Sequence, residues 1–220
     1  LYVAKFPSIN DDINVSRWEH FAHLMAKECG IDVAETHVIK AGNGQDILLS
    51  RRFDRNDQDQ RVHMASSLTL LGLNDGDGER TGKGYLDIVD FIISGGGNHV
   101  EANLQELYRR VAFNICIGNT DDHFRNHAFL LNKEGWELSP AYDMNPTNNM
   151  YQALLVDVNS NASSLDLLYN AHELYMLDEH TAKTIIMDVV QIMMNWESKA
   201  VDVGFTKREM SYFADRYEQG

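Results

Sequence analysis

The chain has 220 residues, 44% of them hydrophobic, which indicates a globular protein with a sizeable core rather than a disordered chain. Its 19 Lys and Arg residues against 33 Asp and Glu residues give a net charge of -14, which disfavours direct binding to nucleic acid or to an anionic membrane surface. No apolar run approaches the ~20 residues of a membrane span, and Cys29 and Cys116 lack metal-ligand spacing, so we expect a cytoplasmic protein with reduced thiols.

Residues 1–60 predict a small antiparallel sheet with one helix packed against it. In chain order, the apolar pattern predicts a strand at Leu1 to Phe6, a helix from Val15 to Gly30, and strands at Glu35 to Ile39 and Asp46 to Phe53. The segment from Ala41 to Gly44 contains Asn-Gly and is typical of a hairpin turn between the last two strands. Because residue 1 is Leu and already lies within a strand pattern, we expect the chain to start inside a larger protein.

Residues 61–220 predict a mainly helical lobe. Apolar spacings of three and four predict helices at Met64 to Leu71, Gly84 to Ser94, Glu101 to Gly118, Ser164 to Tyr175, Glu179 to Ala200 and Thr206 to Gln219. Between them, the polar segment from Asn119 to Asn149 contains only two short β-like runs, His127 to Leu131 and Trp136 to Leu138. The sequence therefore predicts an α+β protein whose functional residues lie in this interrupting segment.

Three polar residues in the interrupting segment match the spacing of a kinase catalytic site. Asp121 and Asn126 stand in the relation Asp-x-x-x-x-Asn, in which the aspartate accepts a hydroxyl proton and the asparagine holds Mg²⁺. Asp143 follows after a hairpin-sized gap, and a carboxylate is an oxygen ligand of the kind that Mg²⁺ prefers. Asp-x-x-x-x-Asn alone is a weak signal, because both residues are common in turns. We predict one site built from the two ends of a β-hairpin.

Four short motifs, in the same order along the chain, resemble the C-terminal kinase region of the HipA-like serine/threonine kinases. They are Ala4-Lys5-Phe6-Pro7, Arg52-Phe53-Asp54-Arg55, Gly118-Asn119-Thr120-Asp121-Asp122-His123 and Pro140-Ala141-Tyr142-Asp143. The resemblance implies a two-lobed protein-kinase-like fold, with residues 1–60 as the rest of a β-rich nucleotide lobe and residues 61–220 as the helical catalytic lobe. It also implies that a glycine-rich phosphate loop lies upstream of residue 1.

The same resemblance implies a function and a set of site residues. The implied reaction is transfer of the γ-phosphoryl group of ATP, with Mg²⁺, to a serine or threonine hydroxyl of a protein, and the implied setting is a toxin-antitoxin system. The substrate would then be a component of translation, and a DNA-binding antitoxin would hold the kinase inactive. The implied roles are phosphate binding for Lys5, adenine-pocket lining for Arg52 and Phe53, base catalysis for Asp121, and Mg²⁺ binding for Asn126 and Asp143.

Two further functions remain open on the sequence. One is a small-molecule phosphotransferase of the same fold, and the other is a nucleotide-binding pseudokinase that acts only as an interaction module. A deep acidic pocket would favour a small cationic substrate, whereas a broad groove would favour a protein. The presence of Lys5 and Asp121, together with both proposed metal ligands, disfavours the pseudokinase.

Glu19 has two possible roles between which the sequence does not decide. As the first carboxylate of the predicted helix it could pair with Lys5, as kinases pair a strand lysine with a helix glutamate. Alternatively, Ser16-Arg17-Trp18-Glu19 fits a capping box, in which Glu19 only satisfies the helix start.

Two histidines, His123 and His127, lie beside Asp121 and Asp122 and invite a transition-metal interpretation. The surrounding Asn, Asp and Gly residues indicate a loop rather than the helix that such a spacing needs. We therefore expect no transition metal at these histidines. His123 is predicted to support Asp121 by hydrogen bonding, and Asp122 is predicted to face solvent.

The glycine-rich segment from Gly76 to Gly84 superficially suggests a phosphate-binding loop. It fails the Gly-x-x-x-x-Gly-Lys-Ser/Thr pattern twice, because Asp77 takes the first glycine position and Gly84 replaces the hydroxyl residue. We predict a surface loop instead. Two positions depart from the resemblance, with Arg51 where a glutamate is expected and Arg125 where relatives often have lysine.

Overall fold

The computed structural model describes residues 1–8, 11–42 and 44–217. The strands are β1 (Tyr2–Lys5), β2 (Thr36–Lys40), β3 (Asp46–Arg51), β4 (Met64–Ser66), β5 (Ala128–Asn132) and β6 (Gly135–Leu138). The α-helices are α1 (Val15–Glu28), α2 (Ser67–Leu70), α3 (Tyr85–Gly95), α4 (Val100–Ile117), α5 (Leu165–Asn170), α6 (Glu179–Met193), α7 (Trp196–Asp202), α8 (Lys207–Met210) and α9 (Ala214–Tyr217). Short 3₁₀ turns cover Glu79–Thr81, Gly97–His99 and His172–Tyr175.

The first sheet has the strand order β1-β3-β2, with both pairs antiparallel, and α1 contacts β2 and β3. The predicted order of strand, helix, strand and strand is thereby confirmed. Lys5 at the end of β1 is opposite Leu48, and Lys40 is opposite Asp46 where the β2–β3 hairpin closes. In the predicted turn, Asn43 lies outside the described residues, and Gly44 has a φ of +83°, which suits glycine.

The second sheet has the strand order β4-β5-β6, and its last two strands lie within the polar segment from Asn119 to Asn149. The β5–β6 hairpin was predicted, but Met64 to Leu71 was predicted as one helix, and this was wrong. Met64–Ser66 instead pairs with β5, with Met64 opposite Leu130, and the Ser66 side chain then caps the short helix α2. A strand of three residues is too short to show the alternation of a β-strand, and its partner β5 lies far along the chain. The apolar spacing of the local sequence therefore favoured a helix.

The predicted carboxyl-terminal helices are interrupted more often than their apolar spacing indicated. The helix expected from Glu179 to Ala200 is two helices, since α6 ends at Met193 and α7 begins at Trp196. The helix expected from Thr206 to Gln219 contains α8, which begins with a Thr206–Glu209 capping box, and α9; residues 218–220 lie outside the described part. The expected helix from Ser164 is α5 followed by a 3₁₀ turn.

A shared hydrophobic core joins α1 to the helical part of the molecule. The Trp18 ring lies 4.3 Å from Phe205 and 4.7 Å from Phe213, measured between centroids, and all three side chains are buried. Leu107 and Val111 of α4 are fully buried in the same cluster. The division into lobes near residue 60 stays a prediction. None of the described helices has both the length and the apolar character that crossing a membrane requires.

Candidate active site

Lys5 lies between two carboxylates from distant parts of the chain. Its Nζ donates to Glu19 Oε1 at 2.6 Å and to Asp143 Oδ1 at 2.5 Å. The helix α1 is capped by Asn14, whose side chain accepts from the Arg17 backbone N–H at 3.1 Å, so Glu19 is not needed as a cap. Of the two interpretations left open by the sequence, the structure has the one in which Glu19 pairs with Lys5.

The environments of Glu19 and Lys5 raise the pKa of both groups, but for different reasons. Glu19 is 2% exposed, and this burial raises its pKa to about 7 although the Lys5 ammonium opposes the shift. Burial also lowers the pKa of Lys5, but the charges of Glu19 and Asp143 outweigh it and leave that pKa above its ordinary value. Lys5 is therefore a fixed cation at neutral pH, whereas the charge on Glu19 depends on pH close to neutrality.

Asp143 is held in an unusual backbone conformation. Its φ is +59°, in the left-handed region that costs a non-glycine residue ~1 kcal/mol or more. Besides Lys5, its Oδ1 accepts from Asn145 Nδ2 at 3.1 Å, and the Asn145 backbone N–H donates to Asn119 Oδ1 at 3.3 Å. The segment after the hairpin is thus tied directly to the Asp121-containing loop.

The β5–β6 hairpin brings the two predicted metal ligands toward one end of the sheet. Ser139 continues the pairing beyond β6 by donating from its backbone N–H to the Ala128 carbonyl at 2.9 Å. Further along, Tyr142 Oη donates to the Arg125 carbonyl at 2.5 Å, which joins the residues next to Asn126 and Asp143. The sequence predicted a hairpin whose two ends lie side by side, and the β5–β6 hairpin has this arrangement.

Asp122 is the buried centre of the loop, which contradicts the prediction that it faces solvent. The side chain is 3% exposed, and its Oδ2 accepts from Tyr85 Oη at 2.8 Å, Asn114 Nδ2 at 2.7 Å and His127 Nε2 at 2.8 Å. Burial alone would raise the pKa of Asp122, but His127 and the hydrogen bonds outweigh it and lower that pKa. These donors lie on α3, α4 and just before β5, and one of them, Tyr85, is 37 positions away along the chain, so the local sequence did not indicate that Asp122 is buried.

The supporting histidine of the loop is His127 rather than His123. The described side-chain contact of His123 is with Arg125 Nη2, at 3.4 Å, and not with Asp121. His127 is 2% exposed and holds Asp122 in place. The prediction that His123 supports Asp121 by a side-chain hydrogen bond was therefore wrong.

Asp121 itself opens into a cleft of about 320 Å³. The cleft lies between the Asp121 loop and residues 75–80, and Gln152 and Ala153 also line it. A separate cleft, also of about 320 Å³, is lined by Lys5, Glu19 and Asp143. We call these the Asp121 cleft and the Lys5 cleft.

The segment from Gly76 to Gly84 was predicted as a surface loop, and part of it is a wall of the Asp121 cleft. The Glu79 backbone N–H donates to the Ala153 carbonyl at 3.0 Å. A Cβ atom on Gly78 would lie 2.6 Å from the Ala153 carbonyl oxygen, closer than real contacts allow. Glycine is required at position 78 because two backbone segments approach each other closely there. The test against the phosphate-loop pattern could not indicate this requirement.

Arg52 and Phe53 follow β3 and lie on the connection to the second sheet. Arg52 is engaged with Asp54, from Nε at 2.7 Å and from Nη2 at 2.5 Å. The Phe53 ring packs at 5.3 Å on Tyr142, the residue before Asp143. Arg51, where a glutamate was expected, contacts Glu35 at 3.4 Å on the surface. Adenine binding by Arg52 and Phe53 stays a prediction.

The oxygen donors near the Lys5 cleft suit Mg²⁺ better than a transition metal. Within the described ranges, no three His, Cys, Asp or Glu side chains are grouped to hold a metal ion. Asp143 lines the Lys5 cleft and provides hard oxygen atoms, and Asn145 Oδ1, buried next to Asp143, has no hydrogen-bond partner. Asn126 is buried and lines a different cavity with Asp122 and Tyr142, so its amide oxygen is not among the groups that line the Lys5 cleft. Such donors fit Mg²⁺ that also binds phosphate oxygens. The absence of a transition metal at His123 and His127 stays a prediction.

The fold is that of two-lobed kinases. HipA of Shewanella oneidensis, solved in a complex with HipB and operator DNA, superposes with a TM-score of 0.79 at 20% identity, over 99% of this chain and 56% of that one. The Helicobacter pylori proinflammatory kinase CtkA gives a TM-score of 0.55 at 14% identity, over 93% of this chain and 88% of that one. The predicted α+β protein-kinase-like fold is confirmed.

The chain belongs to the HipA-like C-terminal domain family, which its residues 1–196 match. A Haemophilus influenzae protein named "Putative kinase" is 28% identical over 152 residues, 64% of this chain and 44% of that protein. The Shewanella oneidensis serine/threonine-protein kinase toxin HipA is 28% identical over 156 residues, 60% of this chain and 36% of that protein. The aligned part is thus less than half the length of these relatives.

Proposed function

We propose that the chain carries the catalytic region of a kinase that uses ATP and Mg²⁺ to phosphorylate a serine or threonine hydroxyl of a protein. The observation that carries the proposal is Lys5, held between Glu19 and Asp143 by contacts of 2.6 and 2.5 Å, beside a loop that presents Asp121 to a cleft. Membership in the HipA-like C-terminal domain family and relatives named as kinases support it.

The chemistry assigned to this geometry is an in-line phosphoryl transfer. The substrate hydroxyl oxygen forms a bond to the γ-phosphorus of ATP, the bond from that phosphorus to the bridging oxygen breaks, and ADP leaves with the electron pair. Asp121 accepts the hydroxyl proton. Lys5 binds phosphate oxygens, and Glu19 orients Lys5. Asn126 and Asp143 would hold Mg²⁺, which would supply positive charge to neutralise the phosphates.

The buried carboxylate of Asp122 has a positioning role in this proposal. Asp122 does not line the Asp121 cleft, but three hydrogen bonds of 2.7 to 2.8 Å hold its side chain in place. Because Asp121 is the preceding residue, these bonds also restrict the position of Asp121. A base held in this way loses little freedom when the substrate arrives, which is how orientation lowers a barrier. Arg52 and Phe53 are proposed to line the adenine site from the connection between the sheets.

The partners are proposed from the relatives. The Shewanella HipA structure contains HipB and operator DNA, and we propose that a DNA-binding antitoxin likewise restrains this kinase. The net charge of -14 supports contact with DNA through such a partner rather than directly. A component of translation is the proposed substrate, and residues 1–60 and 61–220 are proposed as nucleotide and catalytic lobes.

The test is phosphotransfer by the full-length protein with Mg²⁺-ATP, combined with calorimetric titration of ATP. Asp121→Asn is expected to slow transfer about 10²- to 10⁴-fold while binding ATP nearly as well, because Asp121 handles the hydroxyl proton. Asp143→Asn is expected to weaken Mg²⁺-dependent ATP binding more than Asp121→Asn does. Asp166→Asn, an exposed carboxylate at the start of α5, is the matched control. Equal losses of ATP binding in the first two variants would reject this division of roles.

A further inference from the structure

The two predicted metal ligands lie in different cavities. Asp143 lines the Lys5 cleft, whereas Asn126 is 7% exposed and lines another cavity with Asp122 and Tyr142. Mg²⁺ requires a nearly octahedral set of oxygen ligands, so an ion bound to Asp143 needs further oxygen atoms close by. The lining of the Lys5 cleft contains the candidates for these atoms.

Two further carboxylates line the Lys5 cleft, and both are engaged within the chain. Glu19 Oε1 accepts from Lys5 Nζ at 2.6 Å, and Asp11 Oδ2 accepts from the Ser8 backbone N–H at 2.8 Å. An amide carbonyl oxygen also lines the cleft, that of Asn145. Such an oxygen is a hard ligand like a carboxylate oxygen, but it adds no charge.

The Asn145 amide has one half in use and the other half without a partner. Its Nδ2 donates to Asp143 Oδ1 at 3.1 Å. This contact fixes the orientation of the amide, because a turned amide would place its oxygen against the carboxylate oxygen. Its Oδ1 is buried with no hydrogen-bond partner. Buried acceptors are normally satisfied, so an oxygen left open beside Asp143 indicates that a cation at Asp143 is its partner.

A buried series of hydrogen bonds holds Asn145 in place. Its backbone N–H donates to Asn119 Oδ1 at 3.3 Å, and Asn119 Nδ2 donates to Asn114 Oδ1 at 3.0 Å. Asn114 Nδ2 in turn donates to Asp122 Oδ2 at 2.7 Å. Asn114 and Asn119 are both buried. A ligand fixed in this way before the metal ion arrives loses little freedom when it binds.

We propose that Asn145 Oδ1 is a ligand of the Mg²⁺ that Asp143 binds, so that Asn145 joins Asn126 and Asp143 as a metal-binding residue. The proposal rests on the proposed function and adds a residue to its metal site. The amide completes the metal site without a further negative charge beside Glu19 and Asp143, and its Nδ2 keeps the Asp143 carboxylate oriented toward the ion.

The first test is calorimetric titration of ATP into the full-length protein, once with Mg²⁺ and once with EDTA. Asn145→Ala is expected to weaken ATP binding ~10-fold with Mg²⁺, as loss of one group at a metal site predicts, and to leave binding in EDTA unchanged. Asn148→Ala, at an exposed position of the same segment, is the matched control. Equal weakening of ATP binding with and without Mg²⁺ would overturn the proposal, because Asn145 would then only shape the cleft.

The second test exchanges the ligand atom. Asn145→Cys places a thiolate at the site, and soft thiolates bind Cd²⁺ in preference to Mg²⁺. We expect ATP binding by this variant to be weak with Mg²⁺ and to recover with Cd²⁺, together with a sulfur-to-cadmium charge-transfer absorption band. The wild type gives the background from Cys29 and Cys116, and Asn148→Cys is the matched control. A variant that neither recovers ATP binding nor gains the band contradicts the assignment.

Asn145→Asp separates a ligand from a residue that only positions Asp143. It keeps an oxygen atom at the site but loses the donor to Asp143, so Mg²⁺-dependent ATP binding persists if the oxygen is a ligand and is lost if only the donor matters. Both tests measure binding, which distinguishes this proposal from the proposed function. Recovery with Cd²⁺ in a protein that transfers no phosphate supports the ligand and rejects the kinase. Phosphate transfer with normal Mg²⁺-ATP binding by Asn145→Ala rejects the ligand and leaves the kinase.

Discussion

At the scale of single residues, the site depends on two carboxylates that differ in burial. Glu19 is 2% exposed, whereas the Asp143 side chain is 37% exposed, yet both contact Lys5. The buried partner, Glu19, fixes the lysine, and in the proposed mechanism the more accessible partner, Asp143, is the one that exchanges Lys5 for a metal ion. This division follows from burial, since a carboxylate without solvent access cannot readily leave the one cation near it.

The pKa of Glu19 predicts a pH dependence of stability. In the unfolded chain the pKa of the carboxyl is near its ordinary value of 4.5, whereas in the folded protein it is about 7. Between these values the folded state binds more protons, so stability falls as the pH rises through this window, by at most ~3 kcal/mol. Glu19→Gln removes this loss. Relative to the wild type, its urea midpoint should therefore be higher at pH 8 than at pH 5.

The control for that experiment is Glu28→Gln, at the other end of α1, where the carboxylate pairs with Lys199 on the surface and is 42% exposed. It should follow the wild-type pH profile. If Glu19→Gln and the wild type keep a constant difference in unfolding free energy from pH 5 to pH 8, Glu19 does not titrate in this range.

Asp122 supports a second prediction at this scale. Replacing it with Asn keeps the shape but makes the oxygen that accepts from Tyr85, Asn114 and His127 neutral. We expect Asp122→Asn to lower the free energy of unfolding by ~1–3 kcal/mol, because hydrogen bonds to a charged acceptor are the stronger ones. The measurement is urea denaturation at pH 6. Asp121→Asn, at the exposed neighbouring position, should change stability by less than ~0.5 kcal/mol.

The pKa of Asp122 also fixes the sign of the pH effect. Because its folded-state pKa lies below the ordinary 3.8, its contribution is fully present above that value and is lost as the pH falls through the lowered pKa. The cost of Asp122→Asn should therefore be the same at pH 6 and pH 8. A cost that disappears at pH 8 would contradict the assignment of a permanently charged Asp122.

At the scale of elements, the sequence predicted the helices and strands that are specified by neighbouring residues in the chain. The hairpin that presents Asn126 and Asp143 and the helix that carries Glu19 were predicted from turn residues and apolar spacing, and the structure contains both. The strand β4 was missed because its pairing partner is β5, far along the chain. The burial of Asp122 was missed because it depends on how α3, α4 and the start of β5 pack around the loop. Of its three donors, Tyr85 is 37 positions away along the chain, and a local pattern does not encode that contact.

The wall of the Asp121 cleft gives a prediction about an element. A methyl group on Gly78 would meet the Ala153 carbonyl oxygen at 2.6 Å, and the backbone φ of 173° is extended, so the cost is one of contact alone. Gly78→Ala should therefore destabilise the protein by ~1–3 kcal/mol and raise KM for a peptide substrate more than KM for ATP. The readouts are urea denaturation and steady-state kinetics.

Gly42→Ala is the control, because nothing lies within 4 Å of a Cβ atom at that glycine. Its stability should stay within ~0.5 kcal/mol of the wild type. If Gly78→Ala behaves in the same way, the Gly78 backbone and the Ala153 carbonyl are not in close contact.

At the scale of the whole molecule, the net charge of -14 adds a long-range negative field to the Asp121 cleft, whose lining has four carboxylates, Asp75, Asp77, Glu79 and Asp121, and two guanidinium groups, Arg80 and Arg125. If the substrate segment is basic, kcat/KM for an Arg-flanked peptide should fall several-fold between 50 and 500 mM NaCl, because salt screens the attraction. The matched Ala-flanked peptide should show little change. Equal salt dependence for both peptides would mean that the attraction does not act on the substrate.

The position of Trp18 between Phe205 and Phe213 has a consequence for the Lys5 cleft. Trp18 directly precedes Glu19, and Arg17 on the same turn of α1 contacts Glu209 at 3.0 Å and lies 4.6 Å above the Phe205 ring. The carboxyl-terminal helices therefore hold the turn of α1 that aims Glu19 at Lys5. The last part of the chain acts as a brace for the first, so loosening of the carboxyl-terminal helices should be felt at Lys5, at the opposite end of the sequence.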